Sequence, residues 1–86
     1  MRFRFLSRFK RAYKKLPKEL QEQVDRKLDL LAKDPKHPSL RVKRVKKTQD
    51  IWEASITMNC RITFQIEGDL YIIRNVGEHD HVLREP

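Results

Sequence analysis

The segment IWEASITMNCRITF, residues 51–64, constrains the fold more than any other part of the chain. Its apolar and polar residues alternate in two runs around a short polar turn, which predicts a hairpin, because successive side chains of a strand point to opposite faces. The residues expected on the apolar face of this hairpin and its extension are Trp52, Ala54, Ile56, Ile62, Phe64 and Ile66. Glu53 and Arg61 then share the opposite face, which we expect to be open and polar.

The residues before the hairpin predict a short strand and two helices. Arg2 to Leu6 alternates, with its phenylalanines on the buried side, and Ser7 offers a helix N-cap. Pro17 separates the first helix from a second one, since proline cannot continue a helix but suits its start. The second helix carries an apolar stripe and is expected to end at Asp34-Pro35. The stripe consists of Leu20, Val24, Leu28 and Leu31.

Two further strands are expected, one before the hairpin and one after it. Leu40 to Val45 alternates, with Arg41 and Lys43 outward. After the Gly68 turn, Leu70 to Val76 is an apolar run typical of a central strand, which we expect Gly77 to break, and residues 82–86 show no pattern. The order predicts an α+β fold over residues 1–86 as one domain: an N-terminal strand, two helices, then four strands, with the helices on one face of a largely antiparallel sheet.

Composition excludes several classes of site. A single cysteine, Cys60, rules out an intramolecular disulfide and a multi-cysteine zinc site, so we expect a reducing compartment, the cytoplasm. No apolar run approaches the ~20 residues of a membrane span, and the basic N-terminus lacks the apolar region of a signal peptide. His79 and His81 lack a third ligand, and no glycine-rich phosphate loop occurs, so we expect neither a metal nor a cofactor.

The positive charge of the chain is unevenly distributed. The net charge is +8, yet residues 1–18 hold eight Lys or Arg and no acid, and residues 33–47 hold seven against one aspartate. Two basic blocks on a small domain predict a polyanionic partner, because binding to phosphates releases condensed counterions. Nucleic acid or the ribosome is therefore the expected partner, and a basic surface that only aids solubility is the alternative.

The expected open face collects residues suited to metal-free RNA cleavage. Glu53 would act as the base that takes the proton from the ribose 2′-hydroxyl, and Arg61 would hold the phosphate with its planar fork. His79 would protonate the leaving oxygen, since histidine changes charge near neutral pH. The alternative is an ordinary exposed cross-strand ion pair between Glu53 and Arg61, worth under ~1 kcal/mol. Further basic candidates for this face are Arg41, Lys43 and Arg74, with His81 nearby.

Nearly the whole chain resembles the RelE/ParE superfamily of toxins from type II toxin–antitoxin systems. The resemblance is carried by the helix junction at Leu16-Pro17, the strand pattern Leu40-x-Val42-Lys43, and three later motifs. These motifs are Ile51-Trp52-Glu53, Cys60-Arg61-Ile62-Thr63-Phe64 and Val76-Gly77-Glu78-His79-Asp80.

The resemblance implies two distinct activities within one fold. RelE-like members are ribosome-dependent endoribonucleases that cut mRNA without metal, and ParE-like members poison DNA gyrase. On the RelE-like pattern, Arg61 matches the phosphate-binding arginine of the family. Glu53 matches the glutamate that some ribonuclease members use as general base, and His79 matches the histidine of those members. Arg41 and Lys43 match the basic strand that faces RNA.

The chain also differs from that pattern. Met58-Asn59-Cys60 stands where the family often has glycine and an aromatic residue before the arginine, and the C-terminal tyrosine of many ribonuclease members is missing. His81 is the candidate to replace that tyrosine. The resemblance implies a cognate antitoxin as partner, with operator DNA contacted only through it. An inactive antitoxin-binding module is the third alternative.

Overall fold

The alternating segments of the chain build one five-stranded sheet in a computed structural model that describes residues 1–86. The sheet order is β1-β5-β4-β3-β2, with β1 parallel to β5 and all other neighbours antiparallel. The strands are β1 (Arg2–Phe5), β2 (Lys43–Arg44), β3 (Trp52–Ser55), β4 (Cys60–Glu67) and β5 (Leu70–Glu78), and the helices are α1 (Ser7–Lys14), α2 (Lys18–Lys33) and α3 (His79–Arg84). This architecture confirms the predicted α+β fold and adds a third helix.

The main core lies between the sheet and the pair α1 and α2. Val24 and Leu31 of α2 are fully buried and belong to the same apolar cluster as Ile62, Phe64 and Ile73 of the central strands. Because burying each large apolar side chain contributes roughly 1.5–3 kcal/mol, this layer is the main source of stability. The helical stripe and the apolar side of the hairpin, both predicted from periodicity, are confirmed, except that Ile66 at the end of this side is 41% exposed.

The start of the first helix differs slightly from expectation, whereas the end of the second does not. Ser7 is the first residue of α1 rather than its N-cap; Leu6 occupies that position, and no side chain caps the helix. Pro17 is the N-cap of α2, and its carbonyl accepts bonds from the backbone N–H groups of Leu20 and Gln21 at 3.0 Å each. The helix ends at Lys33, as Asp34-Pro35 predicts.

The predicted strand from Leu40 to Val45 is mostly wrong. A single 3₁₀ turn spans Pro38–Leu40, and Arg41 follows it in the left-handed region with φ of 48°, which leaves only Lys43 and Arg44 in β2. Proline presets the backbone of this turn, and the His37 ring accepts a bond from the Ser39 N–H at 3.1 Å. These local bonds override the apolar alternation.

The last strand runs further than Gly77, so the predicted break there is wrong. Gly77 lies opposite Arg61 in the antiparallel ladder, and β5 ends at Glu78. The register shifts between Thr63 and Phe64, because Arg74 is an extra residue on β5. This bulge lets Ile73 and Val76, three residues apart, both face the main core.

Residues 79–84 form α3, although no pattern was evident in the sequence over residues 82–86. The Glu78 side chain caps this helix by accepting a bond from the His81 N–H at 3.1 Å, and Val82 is fully buried. Six residues offer fewer than two turns of periodicity, which explains why the pattern did not reveal a helix. None of the helices is long and apolar enough to cross a membrane.

Candidate active site

The sheet face opposite α1 and α2 is covered, which corrects the expectation of an open polar surface. Glu53, Thr63 and Asn75 are opposite one another across β3, β4 and β5 and are only 3%, 0% and 8% exposed. α3 packs over β4 and β5 on this side and places Val82 there. Strand alternation identifies which residues share a face but carries no information on what covers that face.

Glu53 and Arg61 form a buried ion pair rather than an exposed one. Arg61 Nε lies 3.6 Å from Glu53 Oε1, and the two side chains are 13% and 4% exposed. Arg61 Nη1 also donates to the backbone carbonyls of Thr57, Met58 and Cys60 at 2.7, 2.9 and 3.2 Å. The guanidinium therefore ties the β3–β4 turn together, and the pair is more than the surface contact that the alternative assumed.

Glu53 lines a cavity of about 310 Å³ together with His79 at the start of α3. Lys43 lies directly opposite Glu53 on β2. The remaining side chains that argue for an anion site here are Arg44 and Lys46. His79 Nδ1 is 3.0 Å from Asp80 Oδ1, so Nε2 is the ring nitrogen left for a ligand. The structure thus brings together a carboxylate, an imidazole and three cationic side chains.

A second depression, of about 250 Å³, adjoins the first across the ion pair. Arg61 and Arg41 line it, together with Lys27 of α2 and three hydroxyl side chains, and no carboxylate does. Lys27 Nζ donates to Ser39 Oγ at 3.2 Å. Arg41 and Arg61 therefore line a different depression from Glu53 and His79, and the ion pair between Arg61 and Glu53 is what links the two.

Two of the predicted basic residues lie outside both cavities. Arg74 donates from Nη1 to Gln65 Oε1 at 2.7 Å and from Nε to the Pro86 carbonyl at 3.2 Å. His81 is exposed on α3 and lines neither cavity. Sequence reasoning placed both near the site because it could not locate the C-terminal segment.

Three basic residues of the cavities were missed: Lys27, Arg44 and Lys46. Lys27 belongs to a helix whose function seemed purely structural, and only the fold brings it beside the β3–β4 turn. Arg44 and Lys46 lie in the basic block 33–47, so charge density was the available signal.

Neither a cysteine nucleophile nor a metal cluster accompanies these groups. Burial raises the pKa of the Cys60 thiol, and the neighbouring Arg61 charge only partly opposes this, so the thiol is protonated at neutral pH. No group of three or more His, Cys, Asp or Glu side chains is placed to hold a metal ion. Glu53, His79 and the surrounding cations are the polar side chains of the first cavity.

Comparison with known proteins places the chain among bacterial and archaeal toxins. Residues 3–83 match the model of the family described as ParE toxin of type II toxin-antitoxin system, parDE. No curated protein matches the chain significantly.

Solved structures share the fold at low sequence identity. A chain of the RelB-RelE antitoxin-toxin complex from Methanococcus jannaschii is 17% identical with a TM-score of 0.75, over 95% of this chain and 96% of that one. YafQ from E. coli strain BL21(DE3) is 11% identical with a TM-score of 0.80, over 95% and 98%. A YoeB/ParE toxin from Agrobacterium tumefaciens is 13% identical with a TM-score of 0.77, over 92% and 99%.

Proposed function

The chain belongs to the RelE/ParE superfamily of toxins from type II toxin–antitoxin systems, and on that premise we propose that it is an endoribonuclease that cleaves mRNA on the ribosome, in the cytoplasm. One observation carries the proposal. Glu53 and His79 line the same cavity, among three cationic side chains of the β2 region. A base, an acid and phosphate-binding cations in one cavity are the groups that metal-independent cleavage requires.

The reaction is a transfer of the phosphodiester to the neighbouring ribose oxygen. Glu53 takes the proton of the 2′-hydroxyl, and the 2′-oxygen attacks phosphorus. His79 donates its proton from Nε2 to the 5′-oxygen as the P–O5′ bond breaks. The products are a 2′,3′-cyclic phosphate and a free 5′-hydroxyl, and water later returns the two side chains to their starting protonation states.

The cations divide the phosphate charge between them. Lys43, Arg44 and Lys46 are exposed side chains with no hydrogen-bond partner in the protein, so they can turn toward a bound phosphate. Arg61 has its Nη1 committed to three backbone carbonyls and its Nε beside Glu53, which leaves Nη2 as its free donor group. We therefore assign Arg61 a single hydrogen bond to the phosphate rather than a bidentate one.

A cognate antitoxin is the proposed protein partner. An apolar cavity of about 340 Å³ lies on the α1 and α2 side, and its lining includes Phe5, Phe9 and Tyr13, the cations Lys10 and Lys14, and one carboxylate, Asp25, to which Tyr13 donates a hydrogen bond. An amphipathic segment with apolar and acidic side chains fits such a surface. Operator DNA would be contacted through this partner only. Co-purification of the chain with a candidate antitoxin expressed in the same cells, with the exposed substitutions Lys10→Glu and Lys14→Glu weakening the complex, tests this assignment.

Mapping cut ends on ribosomes programmed with a defined mRNA tests the nuclease. The chain is expected to cut at a fixed position in the codon and leave cyclic phosphate ends. Glu53→Gln is expected to lower the cleavage rate by about 10²–10⁴-fold, as for loss of a general base. Glu67→Gln, at an exposed position of β4, is the matched control and should cleave normally.

A second candidate, inhibition of DNA gyrase without RNA cleavage, is favoured by the ParE family match over residues 3–83. On this interpretation the Glu53–Arg61 pair is structural, as the three carbonyl contacts of Arg61 allow. If expression of the chain causes gyrase-dependent DNA breaks and leaves mRNA intact, gyrase inhibition is the function and the nuclease proposal is wrong. Absence of both activities and of any growth effect is the result expected of an inactive antitoxin-binding module.

A further inference from the structure

Three side chains converge on the two backbone carbonyls that follow α3. Arg8 Nη2 donates to the Glu85 carbonyl at 2.6 Å and its Nη1 to the Pro86 carbonyl at 3.4 Å. Arg74 Nε donates to the Pro86 carbonyl at 3.2 Å, and Asn75 Nδ2 to the Glu85 carbonyl at 3.0 Å. We call these three donors the clamp.

The members of the clamp come from both layers of the fold. Arg8 belongs to α1, whereas Arg74 and Asn75 are neighbours on β5. Arg74 is the extra residue of the β-bulge, and Gln65 holds its guanidinium by the 2.7 Å bond to Nη1. A bulge re-aims the side chain of its extra residue, so the irregularity in β5 has a consequence for the C-terminal segment.

The clamp supplies what α3 lacks on its own. A helix of six residues is too short to be stable in water, because the nucleation cost exceeds what its few hydrogen bonds return. The carbonyls at its C-terminal end have no partners within the helix and carry partial negative charge, which cationic donors satisfy. Arg8 meets this requirement at the C-cap carbonyl of Glu85, Arg74 binds the carbonyl of the residue after it, Pro86, and buried Val82 fixes the middle of the helix.

The N-terminal end of α3 carries His79, and Leu83 follows one turn later, both on the Glu53 cavity. We propose that Arg8, Arg74 and Asn75 are positioning residues. Their hydrogen bonds to the carbonyls of residues 85 and 86 keep α3 on the sheet and His79 at the Glu53 cavity. This rests on the proposed function for its effect on cleavage. It also assigns Arg74 to the protein's own backbone instead of to RNA.

Hydrogen exchange of the α3 amides in the free protein, together with cleavage kinetics, tests the clamp. Arg74→Gln and Arg8→Gln are each expected to speed exchange in α3 by about ten-fold, because a hydrogen bond from a charged donor is lost, with the central strands unaffected. Their kcat for cleavage should fall by a similar factor with KM within about two-fold, since His79 is displaced while the RNA contacts remain.

An exposed arginine of the same helix as Arg8 provides the matched control. The Arg11 side chain on α1 has no hydrogen-bond partner in the structure. Arg11→Gln should exchange and cleave as the unaltered chain does. Arg74→Lys keeps the charge but cannot reach Gln65 and Pro86 together, so it should give an intermediate rate of exchange if Arg74→Gln proves too unstable to measure.

A contact between Arg74 and RNA would give a different result. If Arg74→Gln leaves α3 exchange unchanged but raises KM and reduces the salt dependence of RNA binding by about one unit of slope, Arg74 contacts RNA and the clamp is wrong. If the unaltered chain does not cleave at all, the nuclease proposal fails, whereas the exchange rates still decide whether the clamp holds α3.

Discussion

The two faces of the sheet are covered in different ways. On one face, α1 and α2 lay a continuous apolar layer against the strands. On the other, a helix of six residues packs beside a row of polar side chains, Glu53, Thr63 and Asn75, and is held by buried Val82 and by side-chain bonds to the backbone carbonyls that follow it. The first face supplies stability and the second brings charged groups together under cover, where each one depends on having a partner.

The largest difference between the faces should appear when a core aromatic is removed. Phe64 is fully buried on the face covered by α1 and α2. Phe64→Ala is expected to lower the free energy of unfolding by about 3–5 kcal/mol, because apolar transfer energy is lost and a cavity is left. Urea denaturation measures this. Ile66→Ala, on the same strand but 41% exposed, should cost no more than about 0.5 kcal/mol. Equal costs would mean that the apolar layer does not dominate.

The face covered by α1 and α2 was predictable, because the apolar residues that build it recur at regular spacing within short segments of the chain. Val24, Leu28 and Leu31 recur at helical spacing, and Ile62 and Phe64 at strand spacing, so both periodicities point to one core. The same alternation placed Glu53 and Arg61 together on the other face, and the structure brings them within 3.6 Å. Pairing and side of the sheet therefore follow from the sequence.

The cover of the second face was not predictable, for reasons particular to its residues. α3 is held by Arg8, 77 and 78 residues away along the chain from the carbonyls that it binds, and by Arg74 in a bulge that alternation cannot show. Arg41 lies outside the strand predicted for it, because its backbone is left-handed where the 3₁₀ turn ends. Each of these features depends on contacts between distant segments or on single backbone angles.

The next largest effect concerns the buried ion pair and should be asymmetric. Arg61→Gln removes the Nη1 bonds to three carbonyls of the β3–β4 turn, so we expect a loss of about 2–3 kcal/mol of stability. Glu53→Gln keeps the size of the side chain, leaves no carboxylate buried, and leaves the three carbonyl contacts of Arg61 in place, so it should cost less than Arg61→Gln, which leaves the buried carboxylate without its cation. Thermal unfolding of both variants measures the difference. A larger cost for Glu53→Gln would show that the carboxylate is structural.

A smaller effect, of opposite sign, is expected at Thr63. Its hydroxyl is buried on the second face and has no hydrogen-bond partner, which is unfavourable. Thr63→Val removes that hydroxyl with little change in shape and should stabilise the chain by about 1 kcal/mol, or about 4–8 °C in Tm. Thr48→Val is the control, because Thr48 Oγ1 contacts the carbonyls of Val45 and Ile51 at 2.7 and 3.2 Å and its loss should destabilise. A destabilised Thr63→Val would indicate a partner such as bound water.

The smallest effect should arise where neither face is involved, at the exposed pair of Arg2 and Asp69 that joins β1 to the β4–β5 turn. The hydrogen bond from the Arg2 guanidinium, at 3.1 Å, lowers the pKa of Asp69 below its usual value. A carboxyl group with a lower pKa in the folded chain contributes stability above the unfolded pKa, and the contribution is lost as the pH falls below about 4.

Asp69→Asn should therefore lower Tm slightly at pH 7 and leave it unchanged at the acid end of the range, so that its Tm falls less steeply between the two than that of the unaltered chain. Salt should reduce the difference at pH 7, because both side chains are largely in water. Scanning calorimetry from pH 7 to pH 2.5, with Glu67→Gln as the matched exposed control, measures it. Parallel curves for the chain and Asp69→Asn would show that the pair contributes nothing, and a drop confined to Asp69→Asn at low pH would reverse the assigned direction of the pKa.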